Sequence, residues 1–397
     1  MDARIVVAGA SMAGLRAAEQ LRAAGWTGAI TLVGDEPHMP YNRPPLSKEV
    51  LAGKAPFDSL AFRPRASVSD VEWRLGRKAV SADLDQRTVR LDDGGALSYD
   101  GLVVATGMRP RRLACPGPSA GRHTVRTLDD AQGLREALIR PGARVVVVGA
   151  GFIGCEVAAT AVALGVAEVT VVDPLPLPMG GPLGELLGRA LLKRHEDRGV
   201  RFALGTGVAG FAGDDRVTGV VLSDGSVLPA DVVVESVGSV ANTEWLDGNG
   251  LDLTDGVLTD EYLRVGGRPD VVAVGDVARF PNARYDGVPR RVEHWCIPTD
   301  TAKHAARTLV SDAEPAPFAP LPTFWSDQHD FRLQSFGAPG LGQDDVRILD
   351  GHPDGDVLVG YHRDGRLVGV VALGGQAVAA SAARYRAELL RQPALTV

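Results

Sequence analysis

Two glycine-rich turns, GASMAG at Gly9–Gly14 and GAGFIG at Gly149–Gly154, constrain this chain more than any other feature. Each closes an aliphatic run, RIVVAGA or RVVVVGA, and opens an alanine-rich stretch, LRAAEQLRAAG or EVAATAVALG. Unbroken aliphatic runs read as strands buried on both faces of a parallel sheet, and the stretches after the turns read as helices. Glycines at such a strand-to-helix turn let the backbone bend sharply and approach a pyrophosphate, whose charge meets the free N–H groups and dipole of the helix. A second strand follows each turn and ends in an acid: AITLVGDE reaches Asp35 and Glu36, and EVTVVDP reaches Asp173. An acid roughly 20 residues beyond the turn is where adenosine ribose hydroxyls are held. Two such units predict two dinucleotides on one chain, one passing electrons to the other.

A second internal repeat supports a shared topology. LDDGGALSYDGLVVATG, from Leu91 to Gly107, aligns without gaps on LSDGSVLPADVVVESVG, from Leu222 to Gly238. Asp93-Gly94 and Asp224-Gly225 supply hairpin turns, and Asp100 and Asp231 precede buried strands that stop at glycine. VVAVGDVARF then offers a short strand ending at Gly275-Asp276, where the aspartate either binds ribityl hydroxyls beside the first turn or caps the next turn.

Composition narrows the remaining classes. A chain of 397 residues, 45% hydrophobic, has enough apolar material for two or three domains with cores. Its net charge of -7 gives no support to nucleic-acid binding. The aliphatic runs fall well short of the roughly 20 residues that span a bilayer. MDARIVVAGA enters its first strand at once, which predicts no signal peptide and a soluble cytoplasmic protein. Cys115, Cys155 and Cys296 form no C-x-x-C pair, and the 8 histidines are dispersed, so neither a dithiol centre nor a metal site is expected. Cys155 follows a glycine turn and Cys296 a tryptophan; both read as inert small residues.

Taken together, VVAGASMAGLRAAEQLR, LVGDEPHMPYNRPPLSKEVLAGK, LVVATGMRPR, VVVVGAGFIGCEVAATA, AVGDVARF, RVEHW and FWSDQ give the chain a family resemblance. Over essentially its whole length it resembles the FAD-dependent ferredoxin reductases of bacterial oxygenase systems, the group that includes putidaredoxin and rubredoxin reductases. The resemblance implies an α/β protein with two Rossmann-like domains, glutathione-reductase-like, and a C-terminal α+β interface domain. The implied limits are 1–108 with 242–315 for a discontinuous FAD domain, 109–241 for an NADH domain, and 316–397 for the interface domain. The implied reaction is hydride transfer from NADH to FAD, followed by single-electron transfers to an iron-sulfur ferredoxin that serves an oxygenase.

Carried over by position, the resemblance puts Gly9, Ala13 and Gly14 around the FAD pyrophosphate and Asp35 or Glu36 at its ribose. Ser11 replaces a glycine of the fingerprint, small enough to keep the turn but adding a Cβ. Arg43 and Lys48 in PYNRPPLSK match flavin contacts, with Lys48 directed to the isoalloxazine, and Pro44 and Pro45 stiffen its approach. Val80, Thr106, Gly107, Arg126, Gly275, Asp276, Glu293, His294 and Trp295 complete the implied flavin set. Gly149, Gly151, Ile153, Gly154, Asp173 and Gly238 are the implied NADH set. The acid at Asp173, followed by Pro174-Leu175-Pro176 with no arginine, disfavours a 2'-phosphate and so NADPH. Glu156 is implied to pair with Lys48 where the hydride passes; its plain alternative is a first-turn glutamate complementing the helix dipole. TDTAKHAARTLV, from Thr299 to Val310, is expected as a polar-capped helix aimed at the flavin, and Trp325 and Gln328 as part of the flavin wall.

The partner implied is an acidic ferredoxin. Arg109, Arg111 and Arg112 form one basic cluster and Arg284, Arg290 and Arg291 another, so docking near Arg290 and Arg291 is expected. Two further departures from the family pattern stand out. Glu235 ends a strand where relatives carry an apolar residue, and faces the nicotinamide or is a paired strand-end charge; RVEHWCIPTD differs from the ESV-type segment of several members. An NADH oxidase and a non-catalytic flavin-binding protein of the same fold are the alternative readings.

Overall fold

The computed structural model describes residues 3–311 and 313–392; the outer limits 1 and 397 of the expected domains lie outside them. Two five-stranded parallel sheets dominate. The first runs in the order Val271–Ala273, Gly101–Val104, Arg4–Ala8, Ala29–Gly34, Glu72–Leu75. The second runs Val200–Leu204, Glu168–Asp173, Arg144–Val148, Val232–Glu235, Arg122–His123. In each, the strand before the glycine turn lies between neighbours reached in opposite directions, which is the crevice where such sheets bind ligands.

The aliphatic runs form these strands because both faces are covered. Val6, Val7 and Ala8 are wholly buried, as are Val147 and Val171 in the second sheet. Helix Met12–Ala23 follows the first turn and helix Phe152–Ala163 the second. The latter is buried almost all round, from Gly154 to Ala161, as expected of a helix apolar on every side. Helix Ile297–Val310 packs through Ala302, Ala305 and Ala306 into the first core, so residues late in the chain complete the first sheet's layers.

The repeat seen in sequence is a structural repeat. Strands Ala79–Asp83, Thr88–Leu91 and Ala96–Ser98 form an antiparallel meander, and Val208–Ala212, Gly219–Leu222 and Val227–Pro229 form its counterpart. Asp100 accepts the Arg4 N–H at 2.7 Å and Asp231 accepts the Arg144 N–H at 3.0 Å, so each aspartate fastens its strand to the start of the central one. The chain passes between the two units through an antiparallel ribbon of Met108–Pro110 and Ser239–Ala241.

A third sheet is wholly antiparallel, in the order Thr323–Gln328, Phe331–Gly337, Arg366–Gly374, Val357–Arg363, Asp345–Gly351. Alternation along its strands separates two apolar faces. Leu358, Val370 and Ala372 meet Val378, Ala382 and Leu389 of helix Gln376–Arg391. Leu333, Val357, Val359 and Tyr361 meet Leu183, Leu187 and Leu191 of helix Gly180–Glu196. This second contact seats the third sheet on the second unit.

Candidate functional site

Both glycine turns are built to the same specification. Gly9 has φ +122°, and a Cβ there would lie 2.0 Å from the Ala105 carbonyl oxygen; Gly149 has φ +105°, with a Cβ 2.2 Å from that of Ser236. A Cβ on Gly14 would meet the Gly9 oxygen at 1.9 Å, and one on Gly154 the Gly149 oxygen at 2.0 Å. The backbone is folded so tightly that no other residue fits, and the helix N-terminus is left facing the crevice.

The contents of the two crevices differ. At the first, Arg43 lays its guanidinium beside the turn, with Nη2 3.4 Å from Ser11 Oγ, 2.5 Å from Glu36 Oε1, and Nη1 2.6 Å from the Arg126 carbonyl oxygen. Tyr41 Oη donates to Glu36 at 2.5 Å, so Glu36 is tied into this cluster while Asp35 is exposed. Burial raises the Tyr41 pKa, against the lowering effect of Arg43. Gly275 rests on Ala13, its N–H donating to Thr301 Oγ1 at 2.9 Å. That contact brings Asp276 to the turn, 3.7 Å from Arg126 Nη2, where burial raises the acid's pKa and lowers the arginine's. Thr106 donates to the Asn242 carbonyl at 2.7 Å beside Gly107. Val80 lies on strand Ala79–Asp83 and is 47% exposed.

These features fit FAD. Arg43 Nε is buried without a hydrogen-bond partner, and the Asp276 carboxylate meets Arg126 only at 3.7 Å, beyond hydrogen-bond distance. A cation and helix N–H groups at the turn suit a pyrophosphate, and a carboxylate with acceptor capacity to spare suits hydroxyls. At the second turn Asp173 accepts from the Ala150 N–H at 2.7 Å and the Leu175 N–H at 2.8 Å, while the Gly151 face is open and Ile153 is 42% exposed. An acid at the strand end with an accessible helix N-terminus fits NADH. Gly238, at φ +92°, lies two residues after Ser236, whose carbonyl faces Gly149.

Between the crevices lies a buried ion pair. Lys48 Nζ is 2.7 Å from Glu156 Oε2, with the two side chains 13% and 4% exposed. Glu156 also accepts from Ser47 Oγ and from Ser326 Oγ, each at 2.6 Å. One turn further along the same helix face, Thr160 donates to the Ser47 carbonyl at 2.8 Å. Helix Phe152–Ala163 therefore grips the Pro44–Ser47 turn twice, fixing where Lys48 emerges. Glu156 stands in the helix's second turn, which removes it from the first-turn dipole alternative.

The third sheet and the RVEHW segment form one wall. Trp295, 41% exposed, donates to Asn42 Oδ1 at 3.0 Å and meets Trp325 edge-on at 5.7 Å. His294 lies 5.1 Å from the Phe324 ring, and burial pulls its pKa down to about 4. Glu293 accepts from Ser239 Oγ and Arg291. Gln328 is buried and reaches Ser326 rather than lining open space.

Several sequence expectations change. The helix expected to start at Thr299 starts at Ile297 with Cys296 as its cap and no side-chain capping bond, because Pro298 suits a first turn and Thr301 turns to Gly275. Glu235 is the paired strand-end charge: Arg122 Nε lies at 2.7 Å and Arg112 Nε at 3.3 Å. Several arginines of the basic clusters have carboxylate partners within the protein: Arg109 pairs with Glu244, Arg112 with Glu235, Arg290 with Asp286, and Arg291 with Asp255 and Glu293. Arg284 donates to main-chain carbonyls. The three cysteines are free, and Cys155 and Cys296 donate to the Ala150 and Thr323 carbonyls, with burial raising both thiols. No metal-binding group of side chains and no helix long and apolar enough to cross a membrane occurs among the described residues. Sequence reading passed over Ser47, Ser326 and His195; Ser326 was signalled only by its place two residues before Gln328 on one strand face.

Comparison with known proteins agrees with this geometry. The model of the pyridine nucleotide-disulphide oxidoreductase family matches residues 3–297, and that of the reductase C-terminal family matches 323–391. Rhodocoxin reductase of Rhodococcus erythropolis is 38% identical over 360 residues, covering 89% of this chain and 82% of its own. The ferredoxin–NAD(+) reductase component of the p-cumate 2,3-dioxygenase system of Pseudomonas putida is 38% identical over 365 residues, 91% of this chain and 87% of its own. Among solved structures, the covalent putidaredoxin reductase–putidaredoxin complex matches with a TM-score of 0.90 and 32% identity, over 98% of this chain and 94% of that one.

Proposed function

The chain belongs to the pyridine nucleotide-disulphide oxidoreductase family and carries a reductase C-terminal domain, and on that premise we propose an FAD-dependent NADH:ferredoxin oxidoreductase that supplies an oxygenase. The observation that carries this reading is the Lys48–Glu156 pair, buried between two glycine turns of matching build. FAD held by Gly9, Gly14 and Arg43 at the first turn would supply the redox chemistry, namely acceptance of a hydride and one-electron delivery to an iron-sulfur protein.

The chain's own groups do the rest. Gly9, Ser11, Ala13, Gly14 and Arg43 hold the pyrophosphate, Asp276 and Arg126 the ribityl side, and Glu36 or Asp35 the adenosine. Gly149, Gly151, Gly154 and Asp173 orient NADH, with Asp173 repelling a 2'-phosphate. Lys48 places a fixed positive charge where electron density gathers, and Glu156 keeps it aimed. Trp295 and Trp325 exclude water from the wall shared with the third sheet. The proposed limits are 1–108 with 242–315, 109–241 and 316–397, and the proposed compartment is the cytoplasm.

The partner is an iron-sulfur ferredoxin; we place its acidic face near Arg290 and Arg291. Because both arginines already face carboxylates, attraction there is local rather than a broad field. NADH-driven reduction of a purified iron-sulfur ferredoxin by the FAD-loaded protein tests the reading. Fast ferredoxin reduction with little oxygen uptake supports it. Rapid oxygen consumption with no effect of ferredoxin would make the protein an oxidase.

A further inference from the structure

A continuous chain of hydrogen bonds leads away from Glu156 through side chains drawn from separate parts of the fold. Ser326 Oγ donates to Glu156 Oε1 at 2.6 Å, and Gln328 Nε2 reaches Ser326 Oγ at 2.9 Å. Gln328 Oε1 lies 2.8 Å from His195 Nε2, and His195 Nδ1 lies 3.1 Å from His329 Nε2. His195 comes from helix Gly180–Glu196 of the second unit; Ser326 and Gln328 come from the first strand of the third sheet, with His329 just beyond. Ser326, Gln328 and His195 are all but completely buried.

The direction of every bond follows from the carboxylate. Glu156 only accepts, so the single Ser326 proton points at it and Ser326 must accept from Gln328. The Gln328 amide is thereby turned with its oxygen toward His195, which must then carry its proton on Nε2. In a neutral ring Nδ1 is left as acceptor, so His329 donates from Nε2. Burial favours neutral rings, pulling His195 and His329 each down to about 4, with Arg198 pushing the same way on both. Gln328 opposes this at His195 and Asp330 at His329, while Lys48 and Ser47 face the far oxygen of Glu156. Phe202 and Phe331 pack edge-on against His195 and keep other partners away.

We propose that Gln328 and His195 are positioning residues for the Lys48–Glu156 pair, holding the Ser326 proton on Glu156 so that the protonation pattern at the two histidines is set by that distant carboxylate. The role rests on the reading of Lys48 and Glu156 as flanking the site where NADH meets FAD. A network serving packing alone would not tie imidazole tautomers to the chemistry of residue 156.

The test uses the FAD-loaded protein labelled with nitrogen-15 at histidine, with His195→Gln and His329→Gln assigning the signals. In the parent protein both rings should be protonated on Nε2. In Glu156→Gln the amide oxygen must face Lys48, so its NH2 faces Ser326. The chain then reverses, and His195 should move its proton to Nδ1. Alongside, Gln328→Leu should slow the limiting rate of flavin reduction by NADH roughly tenfold, the loss of one hydrogen bond to a charged-group relay, with a smaller change in the NADH concentration dependence. His195→Leu should behave similarly and His195→Gln, which retains an N–H toward Gln328, should recover most of the rate. An unchanged His195 tautomer in Glu156→Gln, or a parent ring protonated on Nδ1, overturns the proposal even if Gln328→Leu fails to fold. If Lys48→Met slows flavin reduction while Gln328→Leu and the tautomers stay as in the parent, only this inference falls. If Lys48→Met also leaves reduction untouched, the reading of the site falls with it.

Discussion

The two dinucleotide units share a backbone and differ in charge. Each pairs its turn glycine with the strand beside it, Gly9 N–H to the Val33 carbonyl at 2.7 Å and Gly149 N–H to that of Val172 at 2.8 Å. Just beyond that bond the units part. The first has Gly34, where a Cβ would lie 2.5 Å from Ala10 Cβ; the second has Asp173, which holds the equivalent Ala150 N–H. The first unit's acids sit further out, and Glu36 is bound to an arginine that itself faces the turn. One cradle is thus lined by cations and flanked by a late helix, suited to a resident flavin. The other is open, acid-lined, and suited to a coenzyme that comes and goes. The repeat shares the turn; the side chains around it set the two cradles apart.

The largest effects should come from breaking each cradle in turn. Gly9→Ala forces a Cβ into the Ala105 carbonyl and should yield a folded but colourless protein without FAD. Gly149→Ala makes the matching collision at Ser236 and should keep the yellow colour while losing reduction by NADH. Absorption of the purified variants reads both; colour lost in both alike would remove the asymmetry. Lys48→Met should retain FAD and slow NADH reduction by ~100-fold in stopped flow, the scale of losing one preorganised charge at a reacting centre.

Smaller effects sharpen the contrast. Asp173→Asn keeps an acceptor for the Ala150 N–H but drops the charge, so the preference for NADH over NADPH should shrink by roughly tenfold with FAD content unchanged. Acid sensitivity should also be lopsided, since His195, His294 and His329, each pulled from 6.5 to about 4, cluster where the third sheet meets the rest. Between those values the unfolded chain binds more protons than the folded one. Stability is therefore full above about 6.5 and falls as pH drops toward about 4. Thermal melting across that range should show the slope, and His294→Gln should flatten it. Smallest of all, Arg290→Glu with Arg291→Glu should slow ferredoxin reduction only a few-fold and in a salt-dependent way, leaving ferricyanide reduction intact.

The cradles were legible in the sequence because what makes them is local: an aliphatic strand, a turn that demands glycine, a helix of small residues. The Asp93-Gly94 and Asp224-Gly225 hairpins were legible for the same reason, and both glycines take φ near +84° and +85°. The Lys48–Glu156 meeting came from resemblance, since nothing in the spacing of the two residues foretells it. The partners of the clustered arginines were not legible, because charge adjacent in sequence says nothing about carboxylates folded against it, as Asp255 is against Arg291. The bonds from Glu156 to Ser326 and from His195 to Gln328 were beyond reach for a related reason: each joins elements that meet only when the third sheet docks on the second unit.

Anaerobic titration of the purified yellow protein with NADH, followed by its flavin absorption, tests the two-cradle account most directly. It predicts bleaching that is complete at one NADH per flavin and far faster than with NADPH. A colourless protein that takes up no FAD, or a flavin that NADH leaves oxidised, would contradict it.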